Sequence, residues 1–243
     1  MEQTVFKNLP VSYQEEMARQ VAALSGRLSA PTGNKIRISQ NKVFTFPDGR
    51  TTDDKFQAVV VDFICRNDYY STGFDPADIQ PPDCFAIGQK REDCIPSRNV
   101  PHKEHPTCKG CPQAEWGSGA RGKGKACKES TLLAVLPPDA ASDHPLWLLQ
   151  VSPTGVKYWD NYVRDVVRAF AMMPVGVITT IGFDPNETYP SLRFGHATPY
   201  EGVERFMARQ SEATDILAVE PDVSGTSEKA VKAPAPKRAT ARK

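Results

Sequence analysis

Residues 56–70 read FQAVVVDFICRNDYY, a stretch rich in β-branched and aromatic side chains and long enough to run through the middle of a sheet. Flanking segments carry the same signature in shorter form. Residues 35–39 (KIRIS) alternate, VFTF follows at 43–46, and Pro47-Asp48-Gly49 marks a turn, so this part is expected to be a hairpin. DCFAIG (83–88), TLLAVLP (131–137) and PLWLLQVS (145–152) supply further strands, and VGVITTIGF with TYPSLRFGHA forms a second expected hairpin across Asp184-Pro185-Asn186.

Helical spacing occurs in three places. Val11, Met17, Val21 and Leu24 form a stripe in VSYQEEMARQVAAL, with Ser25-Gly26 as its stop. Ser152 is a candidate N-cap followed by Pro153 at the first helical position, and Val156, Trp159, Val163, Val166 and Phe170 then share one face. A last helix is expected in YEGVERFMARQSEATDIL (200–217). The resulting class is α+β: an antiparallel core like an oligonucleotide-binding (OB) barrel, one amphipathic helix and terminal helices. The expected organisation is an N-terminal helical segment (1–30), one OB-like domain (31–218) with an insertion at 84–128, and a tail (219–243). That tail is rich in Pro, Ala, Ser and Lys, carries six basic residues, and cannot form a core.

With 243 residues and 40% hydrophobic composition, the chain can bury one sizeable core. Its longest apolar runs fall far short of the roughly 20 residues a membrane-spanning helix needs, and the N-terminus lacks the pattern of a secretory signal. A reducing cytoplasm is therefore expected, where thiols stay free to bind metal. The net charge of +1 conceals an uneven distribution. From Cys84 to Lys128 there are nine Lys or Arg against four acids, enough for a local attraction to a polyanion.

The six cysteines carry the chemistry. Cys108-Lys109-Gly110-Cys111 has the two-residue gap that lets two thiolates from one tight turn bind a tetrahedral zinc ion. Cys127 follows after fifteen intervening residues. A fourth ligand is required, and spacing alone leaves Cys84, Cys94, His102 and His105 open; Cys84 would tie a strand end to the loop. Cys65, inside the apolar strand, reads as a buried thiol. With four ligands filled no position remains for water, so the zinc is expected to be structural. Residues 116–128 read WGSGARGKGKACK, in which Arg121, Lys123, Lys125 and Lys128 alternate with small residues that let phosphates approach. The loop lacks the G-x4-G-K-[ST] spacing of a nucleotide-hydrolysing site. Read by charge alone it is a flexible, solvated loop as readily as a binding one. Aromatic side chains beside basic ones, Trp116 in the loop and Tyr69 and Tyr70 near Arg66 in the long strand, are what single-stranded nucleic acid uses as stacking platforms. His144 and His196 belong to no nucleophile or acid–base constellation, which favours a binding protein over an enzyme.

PPDCFAIG, CKGCPQAEWGS, GKGKACK and the later SPT before a helix together resemble a group of tailed-bacteriophage proteins. Their pattern is P-x-C, C-x2-C-P, W-G-S and G-K-x-C, and the resemblance spans roughly residues 35–195. Some members are similar to single-stranded DNA-binding proteins of N4-like phages. The resemblance implies Cys84 as the fourth ligand, with Cys94 additional. It also implies sequence-tolerant binding of single-stranded DNA without catalysis, in support of replication, recombination or phage transcription in the host cytoplasm. Phage RNA polymerase or replication proteins would be partners, and a homo-oligomer is compatible with this reading. The competing expectation is a transcription accessory factor that docks through its zinc knuckle.

Overall fold

The computed structural model describes residues 34–72 and 80–223. The expected helix at 11–24 and the basic tail from 224 onward lie outside them, as does the side chain of Arg121. The fold is mixed α+β, built on a curled, half-barrel sheet with few helices. Contacts among the described residues divide them into two compact units, one of residues 34–63 and 131–217, the other of residues 64–72, 80–130 and 218–223.

In the first unit, β1 (Lys35–Ile38), β2 (Phe44–Thr45) and β3 (Thr51–Thr52) form successive antiparallel pairs. The expected Pro47–Gly49 turn joins the last two, with Gly49 at φ 86° and its N–H donated to the Phe46 carbonyl at 3.0 Å. β4 (Phe56–Tyr69), β6 (Lys128–Leu136), β7 (Trp147–Val151), β8 (Val177–Phe183) and β9 (Leu192–Pro199) complete the order β3-β2-β1-β7-β6-β4-β8-β9. The fifth strand, β5 (Cys84–Gly88), pairs with β4 off this path. β4 is interior, as its composition implies, and β8 and β9 form the second expected hairpin.

One pairing departs from the antiparallel expectation. β1 runs parallel to β7, with Lys35 opposite Leu148 and Ile36 opposite Leu149. Such pairing needs a long crossover, and here more than a hundred residues intervene, so no local turn signal announces it.

α1 (Pro153–Phe170) covers the core with Gly155, Trp159, Tyr162 and Val166 buried, and Val156, Val163 and Phe170 partly so. Gly155 is required by the close approach: a Cβ there would stand 2.9 Å from a Val151 methyl. Ser152 makes no side-chain cap; its hydroxyl lies 3.1 Å from that of Thr154, and its carbonyl instead accepts the N–H groups of Gly155 and Val156. The core itself is aromatic. Phe44 stacks on Phe183 at 4.1 Å, and Trp159 meets Phe63 and Phe194 edge-on. The expected last helix is two, α2 (Val203–Met207) and α3 (Gln210–Leu217).

In the second unit, the distal half of β4 is antiparallel to β5, from Cys65 opposite Gly88 to Tyr69 opposite Cys84. The following segment folds back along β5: Pro96 bridges Ala86, and the N–H groups of Ser97 and His102 donate to the carbonyls of Phe85 and Asp83. Glu220 closes the unit, accepting bonds from Ser97 Oγ at 2.6 Å and Asn99 Nδ2 at 2.7 Å. Among the described residues no helix is long and apolar enough to cross a membrane.

Candidate metal centre and nucleic-acid interface

Cys84 opens β5, Cys127 immediately precedes β6, and Cys108 and Cys111 sit on the turn between them. That turn reverses at Gly110, whose φ of 78° belongs to the left-handed region that favours glycine, and Cys111 donates its N–H to the Cys108 carbonyl at 3.3 Å. All four cysteines line one small cavity of ≈ 20 Å³, together with Asn67, Tyr69 and His105. This volume is close to that of a single water-sized sphere. As the side chains stand, no three His, Cys, Asp or Glu among the described residues form a group that could hold a metal ion.

The other upstream candidates separate from the cluster. Cys94 lies outside the cavity lining but beside it, packing with Cys65, Ala86 and Cys108, and its thiol bonds the Lys90 carbonyl. His102 lies outside the cavity lining, and His105 lies within it but has Nδ1 2.8 Å from the Thr107 carbonyl. Cys65, the expected buried thiol, is 8% exposed.

Electrostatics describe a site unsuited to bare thiolates. Burial, then repulsion from Cys108, Cys111 and Cys84, pushes the Cys127 thiol up to about 12. Burial also raises Cys84 and Cys108, in each case against one hydrogen bond that favours the thiolate: from the backbone N–H of Glu104 to Cys84, and from the Asn67 side chain to Cys108. Four sulfurs sharing one enclosed space can all be ionised only around a cation. Four cysteine sulfurs are a donor set of the kind a soft tetrahedral ion takes, and Asn67, in the same lining, has a buried carbonyl oxygen with no partner.

The loop between Cys111 and Cys127 is not the solvated coil that its composition permits. Short 3-10 turns at Pro112–Ala114 and Ala120–Gly122 fold it into a closed shape. The Gly124 carbonyl accepts from Gly117 at 2.7 Å and Gly119 at 3.2 Å, and Cys127 donates to Gln113 at 2.8 Å. Ser118 is its hub: the hydroxyl bonds the carbonyls of Gln113 and Glu115 and accepts the N–H of Ala126. The Gly117-Ser118-Gly119 run thus has a structural reason at each position. Gly117 has φ 94°, and a Cβ on Gly119 would stand 2.2 Å from the Lys123 carbonyl oxygen. Trp116, by contrast, is 83% exposed.

The expected nucleic-acid contacts are dispersed in character. Lys123 and Lys128 are exposed, the latter donating to the Lys125 carbonyl, while Lys125 is paired with Glu129 at 2.7 Å. Arg66 is paired with Asp68 at 2.9 Å and largely buried. Tyr70 is 44% exposed, but Tyr69 lines the cysteine cavity. Asn67, Ser118 and the exposed Lys109 within the Cys108–Cys111 turn are additions; Ser118 is the serine of the W-G-S motif, whereas Asn67 belongs to no motif that would mark it. Comparisons with protein-family models, curated proteins and solved structures find no match.

Proposed function

We propose that the protein binds single-stranded nucleic acid, with DNA as the ligand, through a loop built on a tetrathiolate zinc centre. Trp116 carries the reading: a large apolar ring, 83% exposed, is presented by a hydrogen-bonded loop strung between two cysteines and flanked by exposed lysines. Exposing such a ring costs the folded chain burial it would otherwise gain. Stacking on a base recovers roughly 1–3 kcal/mol. Lys109, Lys123 and Lys128 supply phosphate contacts, and Tyr70 offers a second platform. The curled sheet is read as an OB-like core, in which loops between strands commonly hold single strands.

Cys84, Cys108, Cys111 and Cys127 would hold the zinc, which supplies no reaction chemistry when all four positions are thiolates. Closing them on one ion at about 2.3 Å requires the thiols to turn into the cavity they share. Its removal is expected to loosen the loop and the strand ends together, since binding energy at such a site is folding energy.

The test uses the chain's own fluorescence. Trp147 and Trp159 are 3% and 0% exposed, so an oligonucleotide that stacks on Trp116 quenches the accessible emission selectively. Single strands are expected to quench more strongly than duplex, with an affinity that falls with salt at a log–log slope of about −2 for three phosphate contacts. No quenching and no anisotropy change with single strands at low salt would refute nucleic-acid binding and favour a protein partner for the same surface.

A further inference from the structure

Residues 224–243 carry Lys229, Lys232, Lys237, Arg238, Arg242 and Lys243 against one acid, Glu228. Val231 is their one large aliphatic side chain, and no aromatic residue is among them. Such a segment has nothing to bury in an apolar groove and no ring to stack on a base, so charge is the main chemistry it offers. Hydrogen bonds fix where the chain enters it. After α3 ends at Leu217, residues 218–223 belong to the second unit. There the Glu220 carboxylate accepts the Ser97 hydroxyl at 2.6 Å on one oxygen and the Asn99 side-chain N–H at 2.7 Å on the other. Ser97 Oγ also accepts the Asn99 backbone N–H at 3.1 Å, which closes the three residues into a clamp. Ser97 in turn donates its N–H to the Phe85 carbonyl in β5, and Pro96 beside it lines the cavity of Cys84, Cys108, Cys111 and Cys127. The clamp therefore starts the basic segment from the unit that carries the loop, against the strand that holds Cys84.

We infer that residues 224–243 are a second phosphate-binding arm of the protein, closing on the same single strand of DNA that the loop holds. The inference rests on the nucleic-acid reading above. Fully extended, the segment spans at most about 70 Å, several times the roughly 11 Å radius of gyration expected for a unit of this size, so phosphates on either side of the loop are within its reach. Its tether makes the second contact intramolecular, which raises affinity without any new fitted surface. Each phosphate it neutralises releases counterions and reads no base, so the arm adds affinity without adding sequence preference. Lacking a ring to seat a strand, it adds to the loop's affinity and does not replace it. The salt slope of about −2 worked for three lysines is thus the loop's own share; three engaged cations of the arm steepen it to about −4.

The test keeps the chain at full length and neutralises the arm: Lys229→Gln, Lys232→Gln, Lys237→Gln, Arg238→Gln, Arg242→Gln and Lys243→Gln together. The Glu220 clamp and every described residue stay as they are. Wild type and variant are titrated with labelled oligo(dT) by anisotropy over a salt series, with Trp116 quenching followed in parallel. The variant is expected to keep the quenching, to show a slope near −2, and to bind about 60- to 500-fold more weakly at about 50 mM salt, the gain from two to three engaged cations. The two proteins should converge as salt approaches molar concentration, with no more than one strand bound per chain. Equal slopes and affinities, within twofold, overturn the inference and leave the loop reading standing. Tighter binding by the variant also overturns it, because the segment then shields the loop by pairing with the protein's own acids; so does a second strand bound per wild-type chain. A wild-type chain that gives neither quenching nor an anisotropy change overturns both readings.

Discussion

Gly119→Ala tests whether the loop that presents Trp116 is a built structure. The glycine has an ordinary φ of −68°, so the substitution carries no backbone penalty of its own. Its difficulty is steric. The new Cβ would lie 2.2 Å from the Lys123 carbonyl oxygen and 3.3 Å from the Gly124 carbonyl carbon, and both neighbours are backbone that cannot rotate away. The two strands of the loop must therefore separate by nearly an ångström. That movement breaks or stretches the bonds from Gly117 and Gly119 to the Gly124 carbonyl. At about 0.5–1.5 kcal/mol each, the closed loop loses roughly 1–3 kcal/mol, comparable to the usual cost of forcing a methyl into a packed site. If nucleic acid binds only the closed loop, affinity for a single strand falls about 5- to 140-fold, although no charge and no aromatic ring has been touched. The assay pairs an oligonucleotide titration with amide exchange at Gly117, whose protection should fall. Gly195→Ala is the control: no atom lies within 4 Å of its Cβ, and its φ is not left-handed, so the change should be neutral within about 0.5 kcal/mol. A Gly119→Ala protein that binds as tightly as wild type with the Gly117 amide still protected would refute the reasoning.

Trp116→Ala is expected to weaken single-strand binding about 5- to 140-fold, with an unchanged melting temperature because the ring is exposed; titration and calorimetry check the two halves separately. Cys108→Ser and Cys127→Ser should each lower zinc content well below one per chain by elemental analysis, whereas Cys94→Ala, outside the cavity lining, should leave it unchanged. Tyr162→Phe removes a buried hydroxyl 2.7 Å from that of Thr179, leaving the threonine unsatisfied, and is expected to cost about 1–3 kcal/mol in urea unfolding. Asp184 is held below its ordinary carboxyl value of 3.8 first by the N–H of Asn186 and then by Arg193 and Lys42. Its stabilisation is therefore present above that value and lost as pH falls through the lowered one. Asp184→Asn should melt below wild type at neutral pH, and the gap should close under acid conditions.

Much of the fold is legible in the residues because its signals are local. The β-branched run at 56–69, the Pro47–Gly49 turn and the helical face of Trp159 and Val166 all act over a few positions. The β1–β7 pairing is set by partners far apart in the chain, and no pattern within KIRI distinguishes a parallel neighbour from an antiparallel one. The break between α2 and α3 is likewise silent in a sequence whose apolar spacing continues across it.

The loop between Cys111 and Cys127 shows where composition misleads. Glycine and lysine in alternation suggest a solvated coil, because composition records which residues are free to move and not which bonds restrain them. Here left-handed φ values at Gly117, Gly122 and Gly124, with Ser118 bonding three backbone groups, turn that freedom into a closed shape. The lysines divide for the same reason: Lys125 spends its charge on Glu129, while Lys123, two residues earlier, remains exposed. The cysteines are legible by spacing only as far as the C-x2-C pair. Choosing Cys84 over Cys94 depends on the cavity lining, which takes in Cys84 and leaves out Cys94 although both lie against the same side of the β4–β5 pair. A site of this kind ties two functions to one set of residues, since the sulfurs that would hold the metal also hold both ends of the loop that exposes Trp116. Loss of the metal should then abolish nucleic-acid binding even where Trp116 and every lysine are intact, whereas loss of Trp116 should leave the metal in place.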